Sequence, residues 1–294
     1  MGPPAPPLLG PRSGTRIAYP VHSVDLWAVE AGECEAAQLR DAASELLPVP
    51  ELRRAAGFHA EPARLEFLLG RMLLRSCLSR YFGGAPAGWR LRAGAYGKPE
   101  LAEDGRGGRP GVAFNLSHSE GLCLLGFTGG PTLGIDIERV RPVDDMDSLG
   151  AALLTRAERR SLARQPPASR TREFFERWVL KEAYAKALGH GVSGQFGATG
   201  FILGPGAPPR LEPAPAAHRD AGDWTFRTVG LHPGFAAALA VPWPADRPAG
   251  AFLLRRVTPF RAVHLAPLTD RHGDGMLRAA PHSPHPPLAG RGPA

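Results

Sequence analysis

The sequence has no long hydrophobic run, few cysteines and few aromatic residues. No apolar stretch approaches the roughly 18 residues that a membrane-spanning helix needs, so we expect no membrane span. The N-terminal residues lack both the basic segment and the long apolar segment of a secretory signal peptide. The three cysteines lie far apart and share no metal-binding spacing with histidine. Together these absences predict a protein of the reducing cytoplasm.

Lysine is also scarce, although basic residues outnumber acidic ones and the net charge is +7. Of the 35 basic residues, only Lys98, Lys181 and Lys186 are lysines. Lysine offers a compact charge on a flexible stem, so these three positions are candidates for a chemical role. The positive charge favours an anionic partner. Nucleic acid is disfavoured as that partner, because the arginines are dispersed and aromatic residues make up only 7% of the chain.

Composition separates an ordinary globular middle from proline-rich segments. Residues 1–18 and 263–294 are rich in proline, glycine and arginine, which predicts disordered tails. Residues 203–220 are predicted to be a Pro/Ala loop between two ordered elements. Helical and strand patterns mix in the middle without the regular alternation of a doubly wound sheet, which predicts an α+β fold.

Local patterns predict the elements that carry the polar motifs. Two stretches with helical spacing of apolar residues end at glycines, and short apolar runs predict strands. The predicted helices are 65–81 and 174–188, and the predicted strands are 122–127, 133–138 and a hairpin over 224–241. The Thr-x-x-Glu pattern at Thr155 and Glu158 predicts a capping box at the start of another helix.

Strand 133–138 carries two carboxylates. Alternate side chains of a strand share a face, so Asp136 and Glu138 are expected about 7 Å apart on one side. Crowded carboxylates repel one another unless a cation lies between them, and carboxylate oxygens suit Mg²⁺ or Mn²⁺. The other interpretation is the solvated face of a half-exposed strand, and the pattern by itself leaves both open.

Helix 174–188 adds a third carboxylate. Trp178, Glu182 and Lys186 follow one another at i, i+4 spacing and lie on one face. Glu182 and Lys186 could form an ordinary surface ion pair, which would stabilise the helix by about 0.2–0.5 kcal/mol. The bulky Trp178 on the same face indicates instead that this stripe meets the protein body. Spacing alone does not decide between that pair and a site where Glu182 binds metal and Lys186 binds phosphate.

Two further polar motifs lie upstream. Gly97-Lys98-Pro99 puts a lysine in a tight loop, and the segment 114–119 gathers amide, hydroxyl and imidazole groups before strand 122–127. Hydroxyl and imidazole groups could bind phosphate there, although a lone histidine such as His118 more commonly makes a structural hydrogen bond. A serine-hydrolase site is disfavoured, because the adjacent Ser117 and His118 cannot easily form a nucleophile–base pair and no nucleophile elbow is present.

These four motifs, in this order and spacing, resemble the 4′-phosphopantetheinyl transferases of the surfactin-synthetase-activating type. They are Gly97–Pro99, Phe114–Ser119, Gly134–Glu138 and Trp178–Lys186, and the similarity extends from about residue 22 to about residue 260. The resemblance implies transfer of the 4′-phosphopantetheine arm of coenzyme A to a serine of an apo carrier protein, with release of adenosine 3′,5′-bisphosphate. It also implies a pseudo-dimer of two similar halves, 19–130 and 131–262, each a small, mostly antiparallel sheet with packed helices.

The resemblance assigns catalytic and metal-binding roles. Asp136, Glu138 and Glu182 are expected to hold Mg²⁺, or Mn²⁺, against the pyrophosphate of coenzyme A. Lys186 matches the lysine that meets the bridging phosphate and can stabilise the departing group. The serine proton needs a base; Glu182 is the first candidate and Glu158 the second, and the sequence does not choose between them.

Further positions are implied as coenzyme A contacts. Besides Lys186, they are Lys98, Pro99, Ser117, His118 and Arg64. Ser117 and His118 match positions that bind the nucleotide phosphate region, and the loop of Lys98 lies beside the adenine and its 3′-phosphate. Arg64 is the best match for a basic residue that binds the 3′-phosphate, and the local spacing also admits Arg71.

The expected partners are coenzyme A and an apo acyl or peptidyl carrier protein. The chain is expected to act as a monomer, without nucleic acid or membrane. Carrier proteins usually present an acidic helix, so a basic enzyme surface would speed their encounter. Two alternatives stay open: a family member that binds coenzyme A without transferring its arm and, with less support, a basic nucleic-acid-binding module. The sequence does not distinguish carriers of fatty acid, polyketide or nonribosomal peptide synthesis.

Overall fold

The first half of the molecule is one strand, three helices and two antiparallel strand pairs. The computed structural model describes residues 17–33, 35–94, 97–102, 111–189, 197–213, 224–243, 252–257, 263–270 and 276–279. The elements of this half are β1 (Val24–Glu30), α1 (Ala36–Leu46), α2 (Val49–Ala56), α3 (Glu61–Phe82), β2 (Leu91–Ala93), β3 (Pro99–Leu101), β4 (Ala113–Ser119) and β5 (Leu122–Thr128). Within it, β5 pairs antiparallel with both β4 and β1.

The second half repeats the same order of elements. They are β6 (Gly134–Arg139), α4 (Met146–Leu153), α5 (Arg156–Ala163), α6 (Pro167–Leu188), β7 (Phe201–Gly204), β8 (Ala207–Leu211), β9 (Thr225–Gly230) and β10 (Phe235–Val241). β10 pairs antiparallel with both β9 and β6, as β5 does with β4 and β1. The long helices α3 and α6 both have 22 residues. The fold is therefore the α+β pseudo-dimer that the sequence predicts.

Three further strands join the two half-sheets. They are β11 (Phe252–Val257), β12 (Val263–Asp270) and β13 (Met276–Ala279), and the sheet order is β4-β5-β1-β11-β12-β13-β9-β10-β6. β11 runs parallel to β1, and β13 runs parallel to β9. β11, although it falls within the predicted C-terminal half 131–262, thus pairs with the first strand of the N-terminal half.

The prediction of a disordered tail over 263–294 is wrong for the residues of β12 and β13. Main-chain pairing with β11 and β9 holds these strands, and composition carries no information on such distant pairing. The predicted Pro/Ala loop 203–220 is also wrong in its first part, because β7 and β8 form a hairpin there. A two-stranded edge tolerates the prolines of β8. Most of the predicted N-terminal tail, residues 1–16, lies outside the described residues, as does 214–220 of the loop.

The core consists of one apolar cluster under each long helix and one between the half-sheets. Along β1 the side chains alternate: Trp27 and Val29 join the cluster under α3, whereas Leu26 joins the central one. On β10, Leu239 lies in the central cluster, and Ala238 lies under α6. Both faces of these strands are thus buried. Because the two half-sheets face each other, the free edges β4 and β6 meet at the junction of the halves.

Glycines end both long helices where the sequence predicts. α3 ends at Gly83 (φ 82°), and α6 ends at Gly189 (φ 73°), a left-handed conformation that glycine adopts without a steric cost. The predicted capping box is confirmed, since Thr155 Oγ1 accepts from Glu158 N and the Glu158 carboxylate accepts from Thr155 N. Within the described part of the chain, no helix combines the length and the hydrophobicity that crossing a membrane requires.

Candidate active site

The site begins where strand β6 touches helix α6 backbone to backbone. A Cβ atom on Gly134 would lie 1.8 Å from Ala183 O and 2.6 Å from Ala187 N, so only glycine fits there. Nearby, Thr132 Oγ1 donates to Ala187 O at 2.7 Å. This close approach brings the acidic residues of β6 beside the last two turns of α6.

Three carboxylates face the same region. Asp136 and Glu182 are buried, which excludes the alternative interpretation of Asp136 as part of a solvated strand face. Burial raises the pKa of Glu182, as do the charges of Asp136 and Glu138, and with the opposing effect of Lys186 the pKa is about 7. Burial and the charge of Asp136 also raise the pKa of Glu138. The repulsion that these directions express would be relieved by a cation.

Lys186 binds Asp136 rather than Glu182. Its Nζ lies 2.6 Å from Asp136 Oδ1 and donates to Ser117 Oγ at 3.1 Å. The i, i+4 surface pair of Glu182 and Lys186 is therefore not what the structure contains, because α6 turns this face towards β6. The lysine side chain keeps 30% of its surface exposed, which leaves it accessible to a ligand.

The carboxylates fit a divalent cation by their chemistry. Asp136 Oδ2 is buried and has no hydrogen-bond partner in the described parts of the structure, and a buried carboxylate oxygen of this kind can accept a water molecule or a cation. Among the described residues, no three acidic, histidine or cysteine side chains already enclose one position. The Lys186 ammonium group lies beside the other carboxylate oxygen of Asp136, Oδ1. Carboxylate oxygens are the donors that Mg²⁺ prefers.

Lys98 reaches the same place from the first half. Gly97 has φ 76°, which lets the loop turn tightly before the lysine. Lys98 Nζ donates to Lys186 O at 3.5 Å, at the end of α6. Burial lowers the pKa of Lys98, with Glu100 opposing and Lys186 adding to the effect. Pro99, the first residue of β3, is half-buried beside it.

Ser117 and His118 point to different partners. Ser117 Oγ donates to Asp136 Oδ1 at 2.8 Å, which makes it a neighbour of the carboxylates. His118 Nδ1 lies 3.0 Å from Glu66 Oε2 on α3, and the imidazole remains 48% exposed. Glu66 Oε1 accepts from Gly121 N at 2.9 Å. Glu66 is not predictable from the sequence, since no local pattern connects a residue of α3 to one of β4.

Glu158 does not join this cluster. Its side chain is fully buried, with Oε2 lying 2.6 Å from Lys181 Nζ and Oε1 accepting from Phe201 N at 2.9 Å. Lys181 also donates to Leu153 O at 2.8 Å. A carboxylate enclosed in this way cannot reach a substrate hydroxyl. Glu158 is therefore wrong as a candidate base, and it anchors α5 to α6 instead.

The two candidate arginines have partners in the first half of the molecule. Arg64 Nη2 donates to Phe58 O at 2.9 Å, and Arg64 Nη1 lies 3.3 Å from Glu61. Arg71 lies 3.6 Å from Glu51 and stacks over an aromatic ring. No contact of the described structure joins either arginine to the carboxylates, so the choice between them stays a prediction.

Comparison with known proteins decides the family. The model of the 4′-phosphopantetheinyl transferase superfamily matches residues 132–240, which hold β6, α6 and the hairpin β9–β10. The 4′-phosphopantetheinyl transferase HetI of Nostoc sp. is 36% identical over 193 residues, covering 66% of this chain and 79% of HetI. This chain belongs to the 4′-phosphopantetheinyl transferase superfamily.

Other members of the superfamily match a shorter part of the chain. The 4′-phosphopantetheinyl transferase Sfp of Bacillus subtilis is 30% identical over 136 residues, covering 46% of this chain and 57% of Sfp. Among solved structures, the holo-(acyl-carrier-protein) synthase from Bacillus anthracis in complex with CoA (3′,5′-ADP) is 24% identical. The match covers 37% of this transferase and 91% of that chain, with a TM-score of 0.30.

Proposed function

We propose that this transferase moves 4′-phosphopantetheine from coenzyme A to a serine hydroxyl of an apo carrier protein and releases adenosine 3′,5′-bisphosphate. The observation that carries the proposal is the meeting of three carboxylates and two lysines at the junction of the halves. Lys186 Nζ binds Asp136, and Lys98 from the other half donates to the main chain of Lys186. A site of this composition suits a diphosphate and a cation together.

Cationic and polar groups around the junction would bind coenzyme A. Lys186 carries a positive charge against Asp136, Lys98 lies at the main chain of Lys186, and the half-exposed His118 lies on the same strand as Ser117. Pro99 and Arg64 complete the proposed coenzyme A contacts towards the first half. Diphosphate and 3′-phosphate groups are strong hydrogen-bond acceptors that such donors recognise.

Asp136, Glu138 and Glu182 would hold Mg²⁺, or Mn²⁺. The buried, unpartnered Oδ2 atom of Asp136 and the mutual repulsion of the three carboxylates support this assignment. When bound, the ion would neutralise charge on the diphosphate oxygens and act as a Lewis acid. The protein groups orient those oxygens and balance the remaining charge.

The transfer needs a base for the serine proton and a cation for the leaving group. The serine oxygen forms a bond to the phosphorus next to pantetheine, while the bond from that phosphorus to the bridging oxygen breaks. Glu182 is the proposed acceptor of the serine proton, because of the two candidate glutamates it is the one that belongs to the carboxylate cluster. Lys186 stabilises the negative charge that develops on the departing adenosine bisphosphate.

The carrier protein would meet an enzyme with a net positive charge. The residues at the junction of the two halves all belong to one chain. The net charge of +7 would attract the acidic surface of an apo acyl or peptidyl carrier. Both halves of the site come from the same polypeptide, which supports action as a monomer. These points apply equally to carriers of fatty acid, polyketide and nonribosomal peptide synthesis.

The deciding experiment measures the intact mass of a carrier protein after incubation with the transferase, coenzyme A and Mg²⁺. A gain of one phosphopantetheine, lost when EDTA is added, is the expected result. Binding of coenzyme A without a mass gain on acyl and peptidyl carriers would favour a family member that lacks transfer. A protein that does not bind coenzyme A would contradict the proposal.

A further inference from the structure

Strand β6 has one edge that none of the described strands pairs with through its main chain. On one side it pairs with β10. On the other side, the N–H groups of Ile135, Ile137 and Arg139 point towards β4. Unpaired main-chain donors at the edge of a buried strand must find acceptors, since each one left unpaired is costly.

Three side chains of β4 supply these acceptors. Asn115 Oδ1 accepts from Ile135 N at 2.8 Å, Ser117 Oγ from Ile137 N at 3.4 Å and Ser119 Oγ from Arg139 N at 3.0 Å. The main chain of β4 pairs with β5, and the side chains of β4 make the junction with β6. Polar residues at every second position match the two-residue repeat of both strands.

The two serines continue the contact to the carboxylates. Ser117 Oγ donates to Asp136 Oδ1 at 2.8 Å, and Ser119 Oγ donates to Glu138 Oε2 at 3.0 Å. Each hydroxyl thus accepts from an N–H of β6 and donates to an acidic side chain of the same strand. The position of the strand and the orientation of its carboxylates are therefore set together by the other half of the molecule.

We infer that Asn115, Ser117 and Ser119 act as a register clamp, and that Ser119 is a positioning residue that holds Glu138 for cation binding. The inference rests on the proposed role of Asp136 and Glu138 as metal ligands. A slip of one residue in β6 would turn both carboxylates to the opposite face. Pairing with β10 sets the register of β6 at one edge, and the clamp sets its register relative to β4 at the other.

The first test measures Mn²⁺ affinity by electron paramagnetic resonance, with coenzyme A present and no carrier protein. Ser119→Ala is expected to weaken Mn²⁺ binding about tenfold, as loss of a partner behind a metal ligand commonly does. Ser119→Thr keeps the hydroxyl and is expected to retain most of the affinity. The matched control is Ser79→Ala, which removes another buried hydroxyl, one that accepts from Trp89 Nε1 at 3.0 Å, away from the junction.

The second test needs no metal. Amide hydrogen exchange at Arg139, followed by NMR in the metal-free protein, is expected to be about tenfold faster in Ser119→Ala, because its N–H loses the acceptor. Ser79→Ala is expected to leave that rate unchanged.

The outcomes separate the clamp from the metal site. Unchanged Mn²⁺ affinity in Ser119→Ala, with Asp136→Asn abolishing binding, would overturn the positioning role while the metal site stands. Unchanged exchange at Arg139 would overturn the clamp itself. If Asp136→Asn leaves Mn²⁺ binding intact, the metal assignment fails, and faster exchange at Arg139 would still support the clamp.

Discussion

The two halves of the molecule each bury an aspartate on their first strand, next to the last turn of their long helix. Asp25 on β1 and Asp136 on β6 are both 3% exposed. Asp25 Oδ2 accepts from Tyr81 OH at 2.7 Å and from Arg255 Nη2 at 3.0 Å. Asp136 has Lys186 on one oxygen and no partner in the described structure on the other.

This difference distinguishes Asp25, a carboxylate with a structural role, from Asp136, the carboxylate that is proposed to bind a metal ion. In the first half the hydrogen bonds of Asp25 lie within a closed network, since Trp27 Nε1 also donates to Tyr81 OH at 2.8 Å. In the second half, Asp136 keeps a buried oxygen without a partner in the described structure, beside an accessible ammonium. Each half of one repeated architecture thus buries an aspartate on its first strand, and the partners of the two aspartates differ.

The largest effect is expected from Gly134→Ala, which would disrupt the packing of β6 against α6 in the second half. Its Cβ would lie 1.8 Å from Ala183 O, and helix and strand backbones cannot both move away cheaply. We expect a loss of about 3 kcal/mol or more in the free energy of unfolding, measured by urea denaturation, with loss of transfer. Gly32→Ala is the control, as nothing lies within 4 Å of its added Cβ. Equal stability of the two variants would contradict the close approach of β6 and α6.

Removing the negative charge of each buried aspartate tests the comparison of Asp25 with Asp136 directly. Asp136→Asn is expected to lower the transfer rate by roughly 100-fold while the protein stays folded, because the proposed metal ligand loses its charge. Asp25→Asn is expected to cost about 3 kcal/mol of stability, because Arg255 stays buried without its partner, and to leave the remaining folded enzyme active. Rates and thermal unfolding of both variants would be measured together. If Asp25→Asn instead lost activity and Asp136→Asn instead lost stability, the division of roles between the two aspartates would be refuted.

Lys186→Arg tests whether the second half needs a compact ammonium. The Nζ atom fits between Asp136 Oδ1 and Ser117 Oγ, where a planar guanidinium cannot take the same position. We expect kcat/KM for coenzyme A to fall at least about tenfold. Arg156→Lys, at an exposed position on α5, is the reference exchange and should have little effect. Similar small changes in both variants would mean that the type of cation is unimportant.

The smallest expected effect is on the stability of the protein at acidic pH, through Glu66 in the first half. The pKa of Glu66 is lowered, because the hydrogen bonds from His118 and Gly121 outweigh burial, which alone would raise it. A depressed pKa contributes stability above the unfolded value of about 4.3 that is lost as the pH falls through the folded pKa. Glu66→Gln should therefore flatten the decline in melting temperature below about pH 4.5. An unchanged acid decline would show that the Glu66 contacts contribute little.

Local patterns in the chain predicted the elements that carry the site. The glycines after α3 and α6, the capping box at Thr155 and the strand that puts Asp136 and Glu138 on one face are all short-range features. They depend on the preferences of a few neighbouring residues, which a single sequence contains in full. The order of four motifs added the family resemblance, and with it the expectation of two similar halves.

The tertiary structure decided which of these residues meet. Lys186 could pair with Glu182 by helix spacing, yet it binds Asp136, which lies 50 residues away in the chain. Glu158 is equally acidic in sequence, but its enclosure by Lys181 and main-chain donors removes it from the chemistry. The pairing of β12 and β13 and the contact of Ser119 with β6 also join distant segments. Periodicity reports only on neighbours within a helix turn or a strand, whereas these contacts form when α6 packs against β6 and α5 within the second half and when strands of the two halves meet.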